Sequence, residues 1–183
     1  MAKKKQPKKT AARPQLGDSV EILDAGSVLE EPITQTLETN YMPYAMSVIV
    51  SRALPEIDGF KPAHRKVLYT MYDMGLLKGN RTKSANIVGS TMHLNPHGDQ
   101  AIYDTMVRLA RGNESLLVPF VSGKSNFGKA YSRDMAYAAS RYTEAKLEEV
   151  CNELFRDIDK DTVDFVDNYD ATTQEPTLLP VTF

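Results

Sequence analysis

Tyr142, which directly follows Arg141, is the residue of this 183-residue sequence best suited to covalent chemistry. A tyrosine hydroxyl can form a covalent intermediate, and a neighbouring guanidinium is a suitable charge partner for it. The pair has two interpretations: a nucleophile with its charge partner, or an exposed aromatic side chain of no consequence. For an isolated Arg-Tyr pair the second is the more common, so the rest of the chain has to decide between them.

The element that carries Tyr142 is predicted to be a helix over residues 135–150. Ala, Met, Leu, Glu and Lys dominate this stretch, and it contains neither Gly nor Pro. An apolar stripe with helical spacing begins in it and comprises Leu147, Val150, Cys151, Leu154 and Phe155. At about 100° per residue, Tyr142 lies roughly 140° from Leu147. Its own face carries only Ala138 and Ala145, so we expect the phenol to be uncovered.

The composition is that of an ordinary soluble globular protein, with 42% apolar and 25% charged residues. Its charge is segregated, because six Lys or Arg precede the first acid, Asp18, although the net charge is −2. Lys and Arg outnumber acids between residues 52 and 83, and acids predominate between 144 and 164. A cationic face suits a polyanion. The basic stretch before Asp18, taken alone, could equally be a solvated arm with no dedicated partner.

Several classes of protein are disfavoured. The single Cys151 allows no internal disulfide and falls on the apolar stripe, which indicates a small core residue in a reducing compartment. No apolar run approaches the ~20 residues of a membrane span, and no signal peptide is present, so we expect a cytoplasmic protein. Asp157, Asp159 and Asp161 have the spacing of a calcium loop, but Thr162 stands where that loop requires Gly, so no metal site is predicted.

The pattern along the chain predicts an α+β, mainly helical fold. Residues 1–17 read as a disordered basic tail, 18–40 as an N-terminal arm with a strand candidate at 19–23, and 41–170 as the main domain. Within it we expect a largely buried helix over 41–53, a turn at Asp58-Gly59, helices over 62–75, 83–92 and 99–111, and wing strands within 116–128. Helices of this size joined by short turns fit a helix-turn-helix unit whose last helix meets DNA.

The amphipathic pattern also assigns faces to two of these helices. His64, Val67, Leu68, Met71 and Tyr72 are predicted to face inward from the 62–75 helix, with Arg65 pointing elsewhere. The predicted inner face of the 99–111 helix consists of Ile102, Thr105, Met106, Leu109 and Ala110. Its outer face consists of Gln100, Asp104, Arg108 and Arg111.

Several ordered blocks resemble one known family. They are residues 44–55 (YAMSVIVSRALP), 58–69 (DGFKPAHRKVLY), 83–85 (KSA), 88–89 (VG), 96–99 (PHGD), 103–105 (YDT), 126–128 (NFG) and 138–144 (AASRYTE). Together they resemble the N-terminal part of the A subunit of bacterial type IIA topoisomerases, which comprise DNA gyrase and topoisomerase IV. The resemblance spans roughly residues 30–183, and so many blocks in one order are not explained by chance.

The resemblance implies a winged-helix breakage-reunion domain, with residues 171–183 at the start of a connection to a tower domain that this chain lacks. We therefore expect a fragment. Tyr142 matches the tyrosine that attacks DNA, and Arg141 would favour its ionised form and bind phosphoryl oxygens. Four further positions match residues that contact phosphate near the cut: Arg52, Lys61, His64 and His97.

The resemblance further implies an ATP-dependent enzyme of the isomerase class, acting on double-stranded DNA near the bacterial nucleoid. Its partners would be a second copy of the chain and a B subunit, in an A2B2 assembly. No cofactor is expected on this chain, because magnesium and ATP would bind the B subunit. Two rival functions stay open, a non-catalytic helix-turn-helix DNA-binding protein and an inactive topoisomerase relic.

Two positions depart from the residues that the family usually has. Asn95 stands where the family usually has a histidine, and it cannot carry the charge of an imidazolium. Gln100 replaces a small hydroxyl that, with Asp104, anchors quinolone drugs through a bridged metal ion, so we predict intrinsically low quinolone sensitivity. The sequence does not separate gyrase from topoisomerase IV or a diverged paralogue.

Overall fold

The computed structural model describes residues 31–112, 116–129 and 135–181. The helices of these residues are α1 (Ile33–Val48), which continues as a π-helical turn (Ile49–Ala53), α2 (Pro62–Asp73), α3 (Ser84–Thr91), α4 (Asp99–Ala110) and α5 (Cys151–Leu154). Their strands are β1 (Thr82–Lys83), β2 (Val121–Lys124), β3 (Glu144–Leu147), β4 (Phe165–Asp167) and β5 (Gln174–Pro176). The predicted α+β, mainly helical class is confirmed. The winged-helix assignment stays a prediction, and the expected tail at 1–17 and strand at 19–23 lie outside the described residues.

The helices predicted over 62–75, 83–92 and 99–111 are confirmed as α2, α3 and α4. Pro62 is the first residue of α2, where its missing N–H costs no helical hydrogen bond. Gly75, just beyond the end of α2, has a φ of +71°, which a residue without a Cβ adopts without strain. The core between these helices is formed by Val67, Leu68, Met71, Ile87, Val88, Ile102, Tyr103, Met106, Val107 and Leu109.

β3 is the central strand of an antiparallel sheet with the order β1-β3-β2. Thr82 of β1 pairs with Ala145 of β3, and Val121 of β2 pairs with Leu147. Ala145 and Leu147 are buried and alternate with partly exposed residues, as the two-residue period of a strand requires. β4 and β5 form a separate antiparallel pair.

The predicted helix over residues 135–150 is wrong. Residues 135–139 have no regular secondary structure, residues 140–142 form a turn, and 144–147 form β3. Helix propensity is a weak preference, and here the pairing of β3 with strands on both sides overrides it. The apolar stripe is nevertheless mostly buried, with Val150 the exception at 38% exposure.

The helix predicted over 41–53 exists as the second half of α1 and its π-helical turn, and it ends before Leu54 as expected. Its predicted burial is wrong. None of its residues is buried, and Tyr44 and Val50 remain 61% and 62% exposed. An apolar sequence shows that a helix favours burial, but it does not show whether the same chain provides the surface that covers it.

Asp58 and Arg65 form a buried ion pair, so the prediction that Arg65 points away from the core is wrong. Arg65 Nε lies 2.8 Å from Asp58 Oδ2, and the two side chains are 7% and 1% exposed. The backbone N–H groups of Phe60 and Leu179 each donate to the carboxylate at 3.0 Å. Burial raises the pKa of Asp58, but Arg65 and these two N–H groups outweigh it and hold the pKa below its usual value.

The contact of Leu179 with Asp58 attaches the end of the described chain to the turn before α2. Leu179 is itself buried in the core, and β5 pairs with β4 just before it. The domain limits predicted at residues 40 and 170 stay predictions. Cys151 is a buried small residue as predicted, and burial raises the pKa of its thiol to about 12. Among the described helices, none has the length and apolar character needed to cross a bilayer.

Candidate functional site

Tyr142 lies in the turn that leads into β3 and is 61% exposed. The phenol is uncovered, as predicted, although a turn carries it instead of a helix. The guanidinium carbon of Arg141 lies 4.7 Å from the centroid of the Tyr142 ring. Hydrogen bonding by Arg141, followed by its positive charge, lowers the pKa of the Tyr142 phenol below its ordinary value. The pair thus provides an accessible oxygen whose ionised form is favoured.

The turn that carries Tyr142 is bound to the start of α3 through its backbone. The Ser84 N–H donates to the carbonyl of Thr143 at 3.0 Å, and the Ala85 N–H donates to the carbonyl of Ser140 at 3.2 Å. Both N–H groups belong to the first turn of α3, whose N–H groups have no partner within the helix. The turn therefore satisfies part of the helix end, and the helix end fixes the backbone on both sides of Tyr142.

His64 on α2 is surrounded by positive charge. Burial, followed by the charges of Lys61, Arg108 and Arg65, lowers the pKa of His64 below its ordinary value. Lys61 and Arg108 are exposed, whereas Arg65 is engaged with Asp58. The helical pattern places Arg108 on the outer face of α4 without a role. The structure adds Arg108 to Lys61 and His64, since the charge of Arg108 acts on His64 together with that of Lys61.

Arg52 and His97 line one open groove of about 600 Å³ between the π-helical turn, α2 and the turn before α4. Lys66 lines the same groove, and its ammonium pairs with Glu175 at 3.2 Å. His97 is exposed, whereas Asn95, which stands where the resemblance leads us to expect a histidine, is only 9% exposed. The groove brings together two of the four predicted phosphate-binding residues.

Arg141 is the cation that lowers the pKa of Tyr142, and Arg52, Lys61, His64 and His97 are not among the groups that shift it. Pro62 and Ala63, which adjoin Lys61 and His64 in the sequence, line the groove that contains Arg52 and His97.

Gln100 and Asp104, the predicted drug-site positions, form a closed set of hydrogen bonds with Tyr137. The side-chain amide of Gln100 donates to Asp104 Oδ1 at 2.7 Å and to the Tyr137 hydroxyl at 3.0 Å. The Tyr137 hydroxyl donates to the same Asp104 oxygen at 2.5 Å. This bond is the main reason that the pKa of Tyr137 is raised. Tyr137 has no role in the sequence analysis, since spacing along the chain does not connect it with α4.

The resemblance implies a magnesium ion on a B subunit and none on this chain. No group of three or more His, Cys, Asp or Glu within residues 31–112, 116–129 and 135–181 is arranged to hold a metal ion. The Asp157 carboxylate pairs with Lys160 at 2.7 Å.

The sequence model of one family, described as the A subunit of DNA gyrase/topoisomerase IV, matches residues 52–183. The chain belongs to this family of gyrase and topoisomerase IV A subunits. The DNA gyrase A subunit of Mycolicibacterium smegmatis is 51% identical over 153 residues, which cover 82% of this chain and 18% of the relative. The corresponding subunit of Borreliella burgdorferi is 48% identical over 159 residues, which are 85% of this chain and 19% of the relative. In Halalkalibacterium halodurans the identity is 48% over 163 residues, or 87% of this chain and 19% of the relative.

The chain thus spans about a fifth of the length of these gyrase A subunits. The predicted resemblance to the A subunits of bacterial type IIA topoisomerases is confirmed, and the similarity lies in the segment that contains Arg141 and Tyr142.

Proposed function

We propose that this chain is the N-terminal part of the A subunit of an ATP-dependent type II DNA topoisomerase, in which Tyr142 breaks and reseals DNA. The observation that carries the proposal is the accessible Tyr142 phenol beside the Arg141 guanidinium, whose hydrogen bonding and charge lower the pKa of the phenol. Membership of the family of gyrase and topoisomerase IV A subunits supports DNA as the substrate.

In the proposed step the phenol oxygen of Tyr142 loses its proton and attacks the phosphorus of a phosphodiester. A bond forms between this oxygen and the phosphorus, while the bond from the phosphorus to one deoxyribose oxygen breaks and that oxygen takes up a proton. One phosphate ester replaces another, so resealing is the same step in reverse and consumes no high-energy cofactor. Arg141 stabilises the phenolate and can donate hydrogen bonds to the phosphoryl oxygens.

Arg52, Lys61, His64 and His97 are proposed to hold the DNA backbone near the cut, and we add Arg108 because it acts on His64 together with Lys61. Cationic side chains give a binding energy that is independent of sequence and falls with salt. Magnesium and ATP are assigned to a B subunit, as the resemblance to the type IIA topoisomerases implies. The assembly would contain two copies of each subunit, with the cytoplasm as its place of action.

A Tyr142→Phe variant tests the proposal, because it removes the hydroxyl and keeps the ring. The intact A subunit is mixed with supercoiled plasmid and its B subunit, and denaturation then traps protein covalently bound to DNA. We expect adducts with the unmodified protein, none with the variant, and equal DNA binding by both. If the unmodified protein binds DNA without forming adducts, the inactive relic is the better interpretation. A variant that keeps all activity would favour the non-catalytic DNA-binding protein.

A further inference from the structure

Three buried hydroxyl groups connect the Tyr142 turn to α3 and α4. The Tyr103 hydroxyl donates to the carbonyl of Ala138 at 2.7 Å and lies 2.9 Å from Thr143 Oγ1. Thr143 Oγ1 in turn hydrogen-bonds with Ser84 Oγ at 2.8 Å. Ser84 and Thr143 are 0% exposed and Tyr103 is 3% exposed. The chain of hydroxyls thus runs through the core and reaches the backbone on both sides of Tyr142.

Buried hydroxyl groups fill a core less favourably than apolar side chains do, because each hydroxyl must keep a hydrogen-bond partner. A hydroxyl removed from water without a hydrogen bond destabilises the folded protein, whereas an apolar side chain of the same shape carries no such penalty. Satisfied networks of this kind define one geometry, because each member must meet its partner at the correct distance and angle. Thr143 and Ala138 stand one and four residues from Tyr142, so the geometry that the network defines is that of the Tyr142 turn.

We infer that Tyr103, Thr143 and Ser84 are positioning residues that hold the Tyr142 oxygen in place for attack on phosphorus. The inference rests on the proposed function. None of the three hydroxyls has to contact DNA, because Tyr103 anchors the segment before Tyr142 and Thr143 anchors the residue after it. Ester exchange needs the attacking oxygen aligned with the phosphorus, and a misplacement of about 1 Å can cost about 100-fold in rate.

The test separates the rate of the chemical step from the affinity for DNA. Thr143→Val keeps the shape of the side chain and removes its hydroxyl, Tyr103→Phe removes the hydroxyl at the other end, and Thr143→Ser restores the hydroxyl. Each variant of the intact A subunit is combined with its B subunit. The rate of adduct formation at saturating plasmid, the Kd for DNA and the melting temperature are then measured.

A matched control is Thr91→Val. Thr91 is equally buried, but its hydroxyl donates to the Ile87 carbonyl of its own helix at 2.8 Å. The Thr91→Val variant therefore makes the same Thr-to-Val change in the core without altering a contact of the Tyr142 turn. We expect adduct formation at the wild-type rate in this variant.

We expect Thr143→Val and Tyr103→Phe to slow adduct formation about tenfold or more at saturating DNA, with a Kd within about twofold of wild type. Thr143→Ser should recover most of the rate. Folded Thr143→Val and Tyr103→Phe variants with the wild-type rate would overturn the inference. So would a parallel loss of rate, DNA affinity and melting temperature, or a failure of Thr143→Ser to recover the rate, since each would indicate a merely structural role. Absence of adducts in the wild-type assembly would instead reject the proposed function.

Discussion

Arg141 is exposed to solvent and lowers the pKa of the Tyr142 phenol. We predict that Arg141→Gln slows adduct formation at neutral pH by about 100-fold, because the guanidinium no longer favours the phenolate or binds the phosphoryl oxygens. The loss of its charge raises the pKa of Tyr142, so the rate should level off at a higher pH than in wild type. The measurement is the rate of adduct formation as a function of pH.

Arg156→Gln is the control for this change. Arg156 is an exposed arginine whose guanidinium lies 3.5 Å from Glu153 Oε2, and it takes no part in shifting the pKa of Tyr142. It should leave both the rate and the pH profile unchanged. An Arg141→Gln variant with the wild-type pH profile would show that Arg141 does not control the ionisation of the phenol.

His64 gives a second prediction for a single residue. Burial and the surrounding cations lower its pKa below the usual value of about 6.5, so the free protein holds it neutral at pH 7. A bound phosphate favours the charged form, so DNA binding should raise this pKa and DNA affinity should increase as the pH falls. NMR titration of the imidazole with and without duplex DNA measures the shift. An unchanged pKa in the complex would remove His64 from the phosphate-binding residues, and His64→Gln should flatten the pH dependence of the Kd.

The turn before α2 and the segment after β5 are joined by the buried Asp58–Arg65 pair and by the Leu179 N–H. We predict that Asp58→Asn lowers the free energy of unfolding by about 3–5 kcal/mol, because Arg65 stays buried without its counter-charge. The pKa of Asp58 is lowered in the folded state, so its contribution is complete above the unfolded value of about 3.9 and is lost as the pH falls through the folded value.

Urea denaturation over a series of acidic pH values measures both effects. Asp157→Asn is the matched control, because Asp157 makes an exposed ion pair with Lys160. The loss of stability there should be small, because an exposed ion pair contributes little in water. Equal losses of stability at the two positions would contradict a structural role for the buried pair, as would a difference between wild type and Asp58→Asn that does not shrink in acid.

At the scale of the whole protein, the predicted low sensitivity to quinolones gains a structural reason. The Gln100 amide and the Tyr137 hydroxyl both donate to one oxygen of Asp104, so this carboxylate is already engaged. We predict weak inhibition of the intact enzyme and stronger inhibition after Gln100→Ser, which shortens the side chain and frees Asp104 from the amide. Inhibition of the unmodified enzyme at ordinary drug concentrations would contradict the prediction.

The control for this prediction is Gln174→Ser. Gln174 on β5 is exposed, and its amide donates to Asp167 at 3.2 Å, so the same substitution removes a Gln-Asp hydrogen bond elsewhere on the surface. It should leave the drug concentration for half-inhibition unchanged. Supercoiling or decatenation of plasmid DNA by the complete enzyme is the activity to be followed.

Local patterns were sufficient for α2, α3 and α4, for the turn at Asp58-Gly59 and for the identity of Tyr142 as the candidate nucleophile. A helix depends mainly on residues three and four apart, so its apolar period can be read along the chain. The ordered motifs pointed to the correct family for a similar reason, since each is a short contiguous block.

Contacts between distant segments determined the parts of the fold and of the candidate site that local patterns did not predict. β3 forms because it pairs with strands on both sides. This pairing excludes the predicted helix, and Tyr142 therefore lies in a turn before β3. Arg65 is buried because it donates hydrogen bonds to Asp58 and to the carbonyl of Phe60, while the Leu179 N–H donates to the same carboxylate. Tyr137 hydrogen-bonds with Asp104, which is 33 residues away in the sequence. Burial and strand pairing depend on partners whose positions the local sequence does not contain. The ordered motifs therefore indicated the family and the candidate nucleophile, while the folded chain determined the turn that presents Tyr142 and the hydroxyl groups bonded to that turn.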